Sequence, residues 1–190
     1  MSHDDAIVFP IGFGHVSIKT KDGRALTIRH VSTADAPLLA ELLGSLSPES
    51  RYMRFFTPRG IPDERLWSEA IRLADIDPRM HVALLATATE DGREWAVAEA
   101  RLIRDDDNHA EAEVAIMVRD EWQQQGIGRA LFDLLVQVAL VQGLHRLYAI
   151  ALRENRGMRR LIQNLGLPST SRSDGAETIY WIELVDHPVP

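Results

Sequence analysis

The pattern of apolar and polar positions changes along the first half of the chain from alternation to helical spacing. Alternating β-branched residues on either side of Asp22-Gly23 are typical of a β-hairpin. Apolar residues spaced three and four apart, behind serine or proline starts, then indicate three helices. The predicted elements of this half are strands 15–20 and 24–29 and helices that begin near Ser32, Ser47 and Pro62, the first of which ends at Gly44.

The second half returns to strand patterns and then combines strands with helices. Three runs rich in β-branched and small apolar residues, separated by acidic turns, predict an antiparallel meander. A long helix pattern and a short, almost continuous apolar strand follow, and a strand–helix–strand unit of this kind favours two parallel strands. The predicted elements are strands 81–87, 94–103, 111–118, 147–151 and 176–183, helices 127–143 and 158–165, and acidic turns at 90–92 and 105–108.

Composition adds a size and a class to these elements. The chain has 190 residues, of which 45% are hydrophobic and 26% charged, so it can bury a substantial core. We expect one mixed α/β (α+β) domain over residues 15–186, after a flexible N-terminal segment, residues 1–14. No run approaches the roughly 18 apolar residues of a membrane span, and the N-terminus lacks the basic and apolar stretches of a secretion signal. These features predict a cytoplasmic protein without a membrane partner.

Charge and cysteine content narrow the possible partners. The net charge of -7 argues against nucleic-acid binding, which requires a basic face. The chain has no cysteine, which excludes disulfides, thiolate metal ligands and a cysteine nucleophile. The seven histidines are scattered, and we expect no metal site. The expected partners are therefore small molecules or proteins.

The segment after the strand that ends at Val118 carries the clearest chemical signal. Gly126 and Gly128 lie where the helix pattern begins, so several backbone N–H groups there lack helical partners. Such donors form an anion site, and glycine lets a diphosphate approach the backbone. Arg129 is placed to add a positive charge. Gly-x-Gly alone also fits a plain tight turn, and the surrounding strand–helix–strand pattern favours the anion site.

The run Gln123-Gln124-Gln125-Gly126-Ile127-Gly128 resembles the acyl-CoA signature of the GNAT (Gcn5-related N-acetyltransferase) superfamily. Asn155 followed by Gly166 resembles the next motif of that family. Residues 46–55 and 112–115, together with Asn155 and Met158, are similar to the acetyltransferase domain of bacterial Pat-type protein lysine acetyltransferases. The resemblance covers roughly residues 24–184. It implies a mostly antiparallel sheet flanked by helices, with a βαβ unit that binds acetyl-CoA.

The resemblance also implies which residues bind the cosubstrate. In that family the strand ending at Val118 diverges from the strand 147–151, and the pantetheine arm occupies the gap. The loop up to Arg129 would hold the pyrophosphate, and Asn155 would lie along the cofactor near the thiol, although its position also suits a helix N-cap. The implied cofactor-binding residues are Ile116, Met117, Val118, Gln123, Gln124, Gln125, Gly126, Ile127, Gly128, Arg129 and Asn155.

Glu113 is the candidate general base. A lysine amine has a pKa of about 10.4, so attack on a thioester near neutral pH needs a group that removes a proton. Glu113 matches the position of the family's glutamate base, and burial would raise its pKa toward a useful range. Glu111 lies on the same strand face and is the competing candidate, and both could instead be solvated residues of a half-exposed strand. Ile162 occupies the position of the tyrosine acid found in many relatives, so we assign no general acid.

The expected reaction is direct transfer of acetyl from acetyl-CoA to a primary amine in a ternary complex. The resemblance favours a protein lysine as acceptor, for example on an acyl-CoA synthetase, and Arg51 or Arg54 would meet an acidic acceptor surface. A small-molecule amine is the alternative acceptor, and a domain that senses acyl-CoA without catalysis is the alternative class. The protein is expected to be a monomer or homodimer.

Overall fold

The computed structural model describes residues 14–57, 61–104, 108 and 110–184. The flexible segment expected before residue 15 lies outside them except for Gly14, as do residues 105–107 of the second acidic turn. The strands are β1 (His15–Lys19), β2 (Ala25–His30), β3 (His81–Glu90), β4 (Arg93–Arg104), β5 (Glu111–Val118), β6 (Arg146–Leu152), β7 (Ser169–Asp174) and β8 (Glu177–Glu183). The helices are α1 (Ala36–Ser45), α2 (Pro48–Phe55), α3 (Asp63–Ala74), α4 (Ile127–Val141) and α5 (Arg156–Gln163).

All eight strands form one sheet in the order β1-β2-β3-β4-β5-β6-β8-β7. Neighbouring strands are antiparallel except for β5 and β6, which are parallel. This exception follows from α4, which carries the chain back over the sheet as the strand–helix–strand pattern predicted. The mostly antiparallel mixed fold expected from the sequence is confirmed.

A separate hydrophobic core covers each face of the sheet. Ala112 and Val114 of β5 pack with leucines of α4 in one core, and Ile116 and Val118 lie against it. Met117, whose side chain points to the opposite face, packs with α1 and α3 in the other. This alternation along one strand gives β5 a cofactor-side face and a face covered by the N-terminal helices.

The structure differs from the sequence-based prediction in one missed strand and in helix ends; α5 spans Arg156–Gln163 rather than 158–165, and α4 ends at Val141 rather than 143. β7 was not predicted, because Ser-Thr-Ser-Arg-Ser-Asp contains no apolar residue and the whole strand is exposed. It pairs with β8 along the sheet edge. Gly44 does not end the first helix, which continues to Ser45. A Cβ on Gly44 would lie 3.8 Å from Leu66, so this glycine lies where α1 and α3 pack closely.

Candidate active site

A slot opens in the sheet where β5 and β6 diverge. The two strands are paired only from Glu111 opposite Arg146 to Glu113 opposite Tyr148. Beyond that point β5 continues along β4 as far as Val118, while β6 continues along β8 as far as Leu152. The backbone of residues 114–118 therefore has one edge without a strand partner, and an extended ligand with amide groups can pair there. Ile116, Met117 and Val118 lie on this edge; their contacts with a cosubstrate stay a prediction.

The glycine loop presents a row of free backbone donors next to the slot. Gln124 and Gly126 have positive φ angles of 62° and 89°, which turns the chain sharply into α4. The first N–H to find a backbone partner is that of Ala130, which donates to the Gly126 carbonyl at 3.1 Å. Among the described residues, the N–H groups of 124–129 have no partner. Six consecutive free donors at the start of a 15-residue helix form an anion site.

The turn of the β1–β2 hairpin holds this loop in place, a contact that the sequence did not indicate. The Lys21 N–H donates to the Gln125 carbonyl at 3.1 Å, and the Asp22 N–H donates to Gln125 Oε1 at 3.2 Å. Trp122, only 7% exposed, anchors the preceding turn, with the Arg24 guanidinium 3.4 Å from its ring centre. The loop is therefore preorganised by the turn of the N-terminal hairpin.

Three further residues predicted to bind the cofactor, Gln123, Ile127 and Gly128, contact other parts of the protein. Gln123 Nε2 donates to the Val118 carbonyl and to Ser50 Oγ, both at 3.2 Å. Ile127 is 1% exposed in the cofactor-side core. A Cβ on Gly128 would lie 3.8 Å from Leu161 of α5, so this glycine lies where α4 and α5 pack together.

Arg129 is less free than the sequence suggested. Its Nε lies 2.7 Å from both carboxylate oxygens of Asp133. Its two terminal nitrogens donate to the carbonyls of Asn164 and Leu165 at the end of α5. The guanidinium thus joins α4 to α5, and a direct contact with a phosphate stays a prediction.

Asn155 is the N-cap of α5. Its Oδ1 accepts a hydrogen bond from the Met158 N–H at 2.9 Å, which confirms the capping alternative. The residue follows β6 directly, on the side of the slot opposite β5. The cap fixes the amide there, and its contact with a cofactor stays a prediction.

Glu113 lies at the closed end of the slot, at the last paired position of β5. Burial raises the pKa of its carboxyl, and the positive charge of Arg54 acts in the opposite direction. Within the described part of the chain, no hydrogen-bond or ion-pair partner occupies this carboxylate. The competing candidate, Glu111, forms an ion pair with Arg146 and accepts from Asn108 Nδ2 at 2.7 Å. Glu113 is therefore the more available base, and its role stays a prediction.

Asp120, in the turn that follows β5, joins that turn to the start of α2. Its carboxylate accepts from the N–H and Oγ of Ser47, both at 2.8 Å, and from Ser50 Oγ at 2.7 Å. Ser47 also caps α2, accepting from the Ser50 N–H at 3.1 Å. The start of α2 is thus fixed to the turn that follows β5.

The two arginines of α2 point in different directions. The Arg51 guanidinium donates to the carbonyls of Leu46 and Gly44 and pairs with Asp63 at 3.2 Å. These contacts join α2 to the end of α1 and to the start of α3. Arg54 instead turns inward, with its Nε shielded from solvent and unpaired.

A cleft of about 450 Å³ lies beside this helix, between α2 and α3. Phe55, Ile61 and Pro62 form its apolar part, and Ser68 and Glu69 form part of its polar side. On α3, Trp67 and Ile71 are 53% and 47% exposed. Neither residue lines the cleft, and exposed apolar side chains of this size favour contact with another molecule.

The described ranges show neither a metal-binding cluster nor a membrane-spanning helix. No group of three or more histidine, aspartate or glutamate side chains in them is arranged to hold a metal ion. No helix of these ranges is both long enough and apolar enough to span a membrane.

Comparison with known proteins places this geometry in a family. Residues 25–168 match the family described as acetyltransferase (GNAT) domain. An acetyltransferase of Pseudomonas aeruginosa is 30% identical over 145 residues, which are 76% of each chain. The acetyltransferase Pat of Mycolicibacterium smegmatis is 29% identical over 151 residues, which are 80% of this chain and 44% of that protein. This chain therefore matches less than half of the Pat protein.

Solved structures share the fold. The GNAT domain of S. lividans PAT superposes with a TM-score of 0.77 at 24% identity, covering 93% of this chain and 99% of that one. A putative acetyltransferase from Salmonella typhimurium, solved with acetyl-CoA, superposes with a TM-score of 0.57 at 23% identity, covering 87% and 97%.

Proposed function

We propose that this chain, which belongs to the GNAT family of acetyl-CoA-dependent N-acetyltransferases, transfers the acetyl group to the ε-amine of a protein lysine. One arrangement carries the proposal: an unpartnered carboxylate, Glu113, lies at the closed end of a sheet slot whose open end leads to the free donors of 124–129. The slot and the loop suit a long cosubstrate with amide groups and a diphosphate. Glu113 suits an amine that must lose a proton.

In the proposed reaction, the diphosphate binds to the free N–H groups of the loop and the pantetheine arm pairs with the open edge of β5. The thioester then lies near Glu113, and Glu113 takes a proton from the acceptor ammonium. The amine lone pair attacks the thioester carbon, and an N–H of the β5 edge near Ile116 or Val118 stabilises the oxyanion. The carbon–sulfur bond breaks, CoA leaves as a thiolate, and the nitrogen loses its second proton to the thiolate or to solvent. A thiol pKa of about 8.5 makes this departure possible without a general acid.

Burial of Glu113 suits this role. Only about one lysine in two thousand is neutral at pH 7, given a pKa near 10.4. A carboxylate with an ordinary pKa is a weak base for that proton, and burial raises the pKa of Glu113 toward the operating pH.

The surface beside the site favours a protein over a small amine as acceptor. Trp67 and Ile71 are exposed on α3, the helix that also forms one wall of the cleft beside α2. A small amine needs only the slot, whereas a folded acceptor also needs a surface to rest on. We further propose that residues 15–186 form the acetyltransferase domain, acting in the cytoplasm as a monomer or homodimer.

The test is acetyl transfer from labelled acetyl-CoA to a panel of acceptors: an acyl-CoA synthetase, lysine peptides cut from it, spermidine and an aminoglycoside. Glu113→Gln serves as the matched control, because lysines also react slowly with acetyl-CoA without an enzyme. We expect label on a protein lysine, at a rate far above that of the Glu113→Gln control. Label confined to small amines would overturn the protein acceptor. Tight acetyl-CoA binding without CoA release above hydrolysis, for every acceptor, would instead indicate a sensor.

A further inference from the structure

A cluster of charged side chains beneath α2, formed by Arg54, Glu99 and Arg101, takes no part in the proposed reaction. Glu99, fully buried on β4, pairs with Arg101 at 2.5 Å, and Arg101 also donates to the Leu73 carbonyl at 3.2 Å. Both side chains lie on the sheet face that α1 and α3 cover, which is also the face of Glu113. Arg54 enters this cluster from α2, the helix packed over β5 and β6.

Among the described residues, Arg54 has no hydrogen-bond or ion-pair partner. Its Nε is buried without a hydrogen bond, as is Oε2 of Glu99. Three acids attract Arg54: Glu99, Glu113 and Glu69. Glu99 is already bound to Arg101 by Nε at 2.6 Å, and Glu69 is bound to Arg72 by Nε at 3.0 Å. Burial lowers the pKa of Arg54, but a guanidinium stays protonated in proteins. Among the described residues, Glu113 is the one of these three acids that has no other cationic partner.

Arg54 is held rather than mobile. Its Cζ lies 5.0 Å from the ring centre of Phe55, and α2 is fixed at its start by Asp120 and along its length by Arg51. The other charged and titratable groups around Arg54 and Glu113 come from three elements: Glu69 and Arg72 on α3, Glu99 and Arg101 on β4, and Tyr148 on β6.

We infer that Arg54 is a positioning residue, a fixed cation beneath α2 that keeps the Glu113 carboxylate ionised and turned toward the acceptor amine. The inference rests on the proposed role of Glu113. It replaces the expectation that Arg54 meets an acidic acceptor surface, since the guanidinium faces inward. A cation at this point also opposes an ammonium in the site, so it favours the neutral amine that attacks.

The test is the pH profile of kcat/KM with saturating acetyl-CoA for Arg54→Met, Arg54→Gln and Arg54→Lys. Removing an opposite charge raises the pKa of a carboxyl, so the acidic limb of the two neutral variants should move up by about one pH unit. Below that limb, kcat/KM should fall about tenfold, while near pH 9.5 it should change little. Arg54→Lys should return the acidic limb most of the way to its pH in the parent protein. Arg93→Gln, which removes an exposed arginine paired with Glu41, is the matched control and should leave the profile unchanged.

A direct titration of Glu113 by carbon-13 NMR, in protein with labelled glutamate, gives a reading that does not depend on turnover. The Glu113 signal should titrate at higher pH in Arg54→Met than in the parent. A parent-like limb and titration in a folded Arg54→Met or Arg54→Gln protein would overturn the inference about Arg54 alone. Full activity of Glu113→Gln at pH 7 would instead overturn the proposed base, whatever Arg54 does.

Discussion

Replacing Asp120 tests whether α2 and the glycine loop, residues 124–129, are mechanically joined. Its carboxylate accepts three hydrogen bonds of 2.7 to 2.8 Å from Ser47 and Ser50. Each such bond contributes about 0.5 to 1.5 kcal/mol, and the exposed position favours the lower values. We expect Asp120→Ala to lower the free energy of unfolding by about 2 kcal/mol. Asp120→Asn should cost about 1 kcal/mol, since its amide keeps one acceptor but sets an NH2 against the Ser47 N–H.

The loss should depend on pH in a definite direction. Burial raises the pKa of Asp120, but the hydrogen bonds from Ser47 and Ser50 outweigh it and hold the pKa below its ordinary value. A lowered folded-state pKa means that the ionised form stabilises the fold. This contribution is complete above the unfolded pKa of about 3.9 and disappears as the pH falls through the folded value. The gap between parent and Asp120→Asn should be constant from about pH 7 to pH 5 and should narrow below about pH 4.

Urea denaturation across this pH range measures the gap, and Glu121→Gln is the matched control. Glu121 is the next residue in the same turn, and its only ion pair among the described residues is with Arg119 at 3.8 Å, so little stability should be lost. Asp120→Asn should also raise the KM for acetyl-CoA, because Gln123 at the loop binds Ser50. If Asp120→Asn and Glu121→Gln behaved alike in both stability and KM, the link between α2 and the loop would be wrong.

Three further changes test separate parts of the site. Gly126→Ala should lower the free energy of unfolding, measured by urea denaturation, by about 1 kcal/mol, because φ is 89° although the space around the Cβ is open. Gly128→Ala should be neutral or stabilising. Equal losses in the two variants would contradict the strained turn. Asn155→Ala should lower the free energy of unfolding by about 1 kcal/mol through loss of the cap, whereas Asn155→Asp should keep the cap. A raised KM for acetyl-CoA in Asn155→Asp would therefore report contact with the cofactor. Trp67→Ser should raise the KM for a protein acceptor without changing that for acetyl-CoA; an unchanged protein KM would contradict docking on α3.

Much of the fold was predictable because its elements have strong local patterns. The apolar spacing of α4 and the continuous apolar run of β6 are visible without any tertiary information, and the crossover rule then makes β5 and β6 parallel. β7 was missed because its six residues are polar and exposed. An edge strand of this kind is stabilised by backbone pairing with β8, which leaves no hydrophobic signal in the sequence.

The site was predictable where one segment supplies it and hidden where distant segments meet. The glycine loop and Glu113 lie in segments with recognisable patterns. The contacts that hold them have no local pattern. Lys21 and Asp22 bind Gln125 from a hairpin near the N-terminus, and Asp120 binds the start of α2, which lies three strands earlier in the chain. Arg54 also has no local signal, because its inward direction depends on how α2 packs over the sheet.

The most direct test of the account is the activity of Glu113→Gln at pH 7 and pH 9.5, measured as CoA release with a saturating acceptor amine. Loss of a general base lowers turnover by about 10² to 10⁴, so we expect a fall of at least about a hundredfold at pH 7. The gap should shrink at pH 9.5, where more of the acceptor is already neutral, while the Kd for acetyl-CoA stays unchanged. Equal turnover of variant and parent at both pH values would contradict the claim that Glu113 removes the proton.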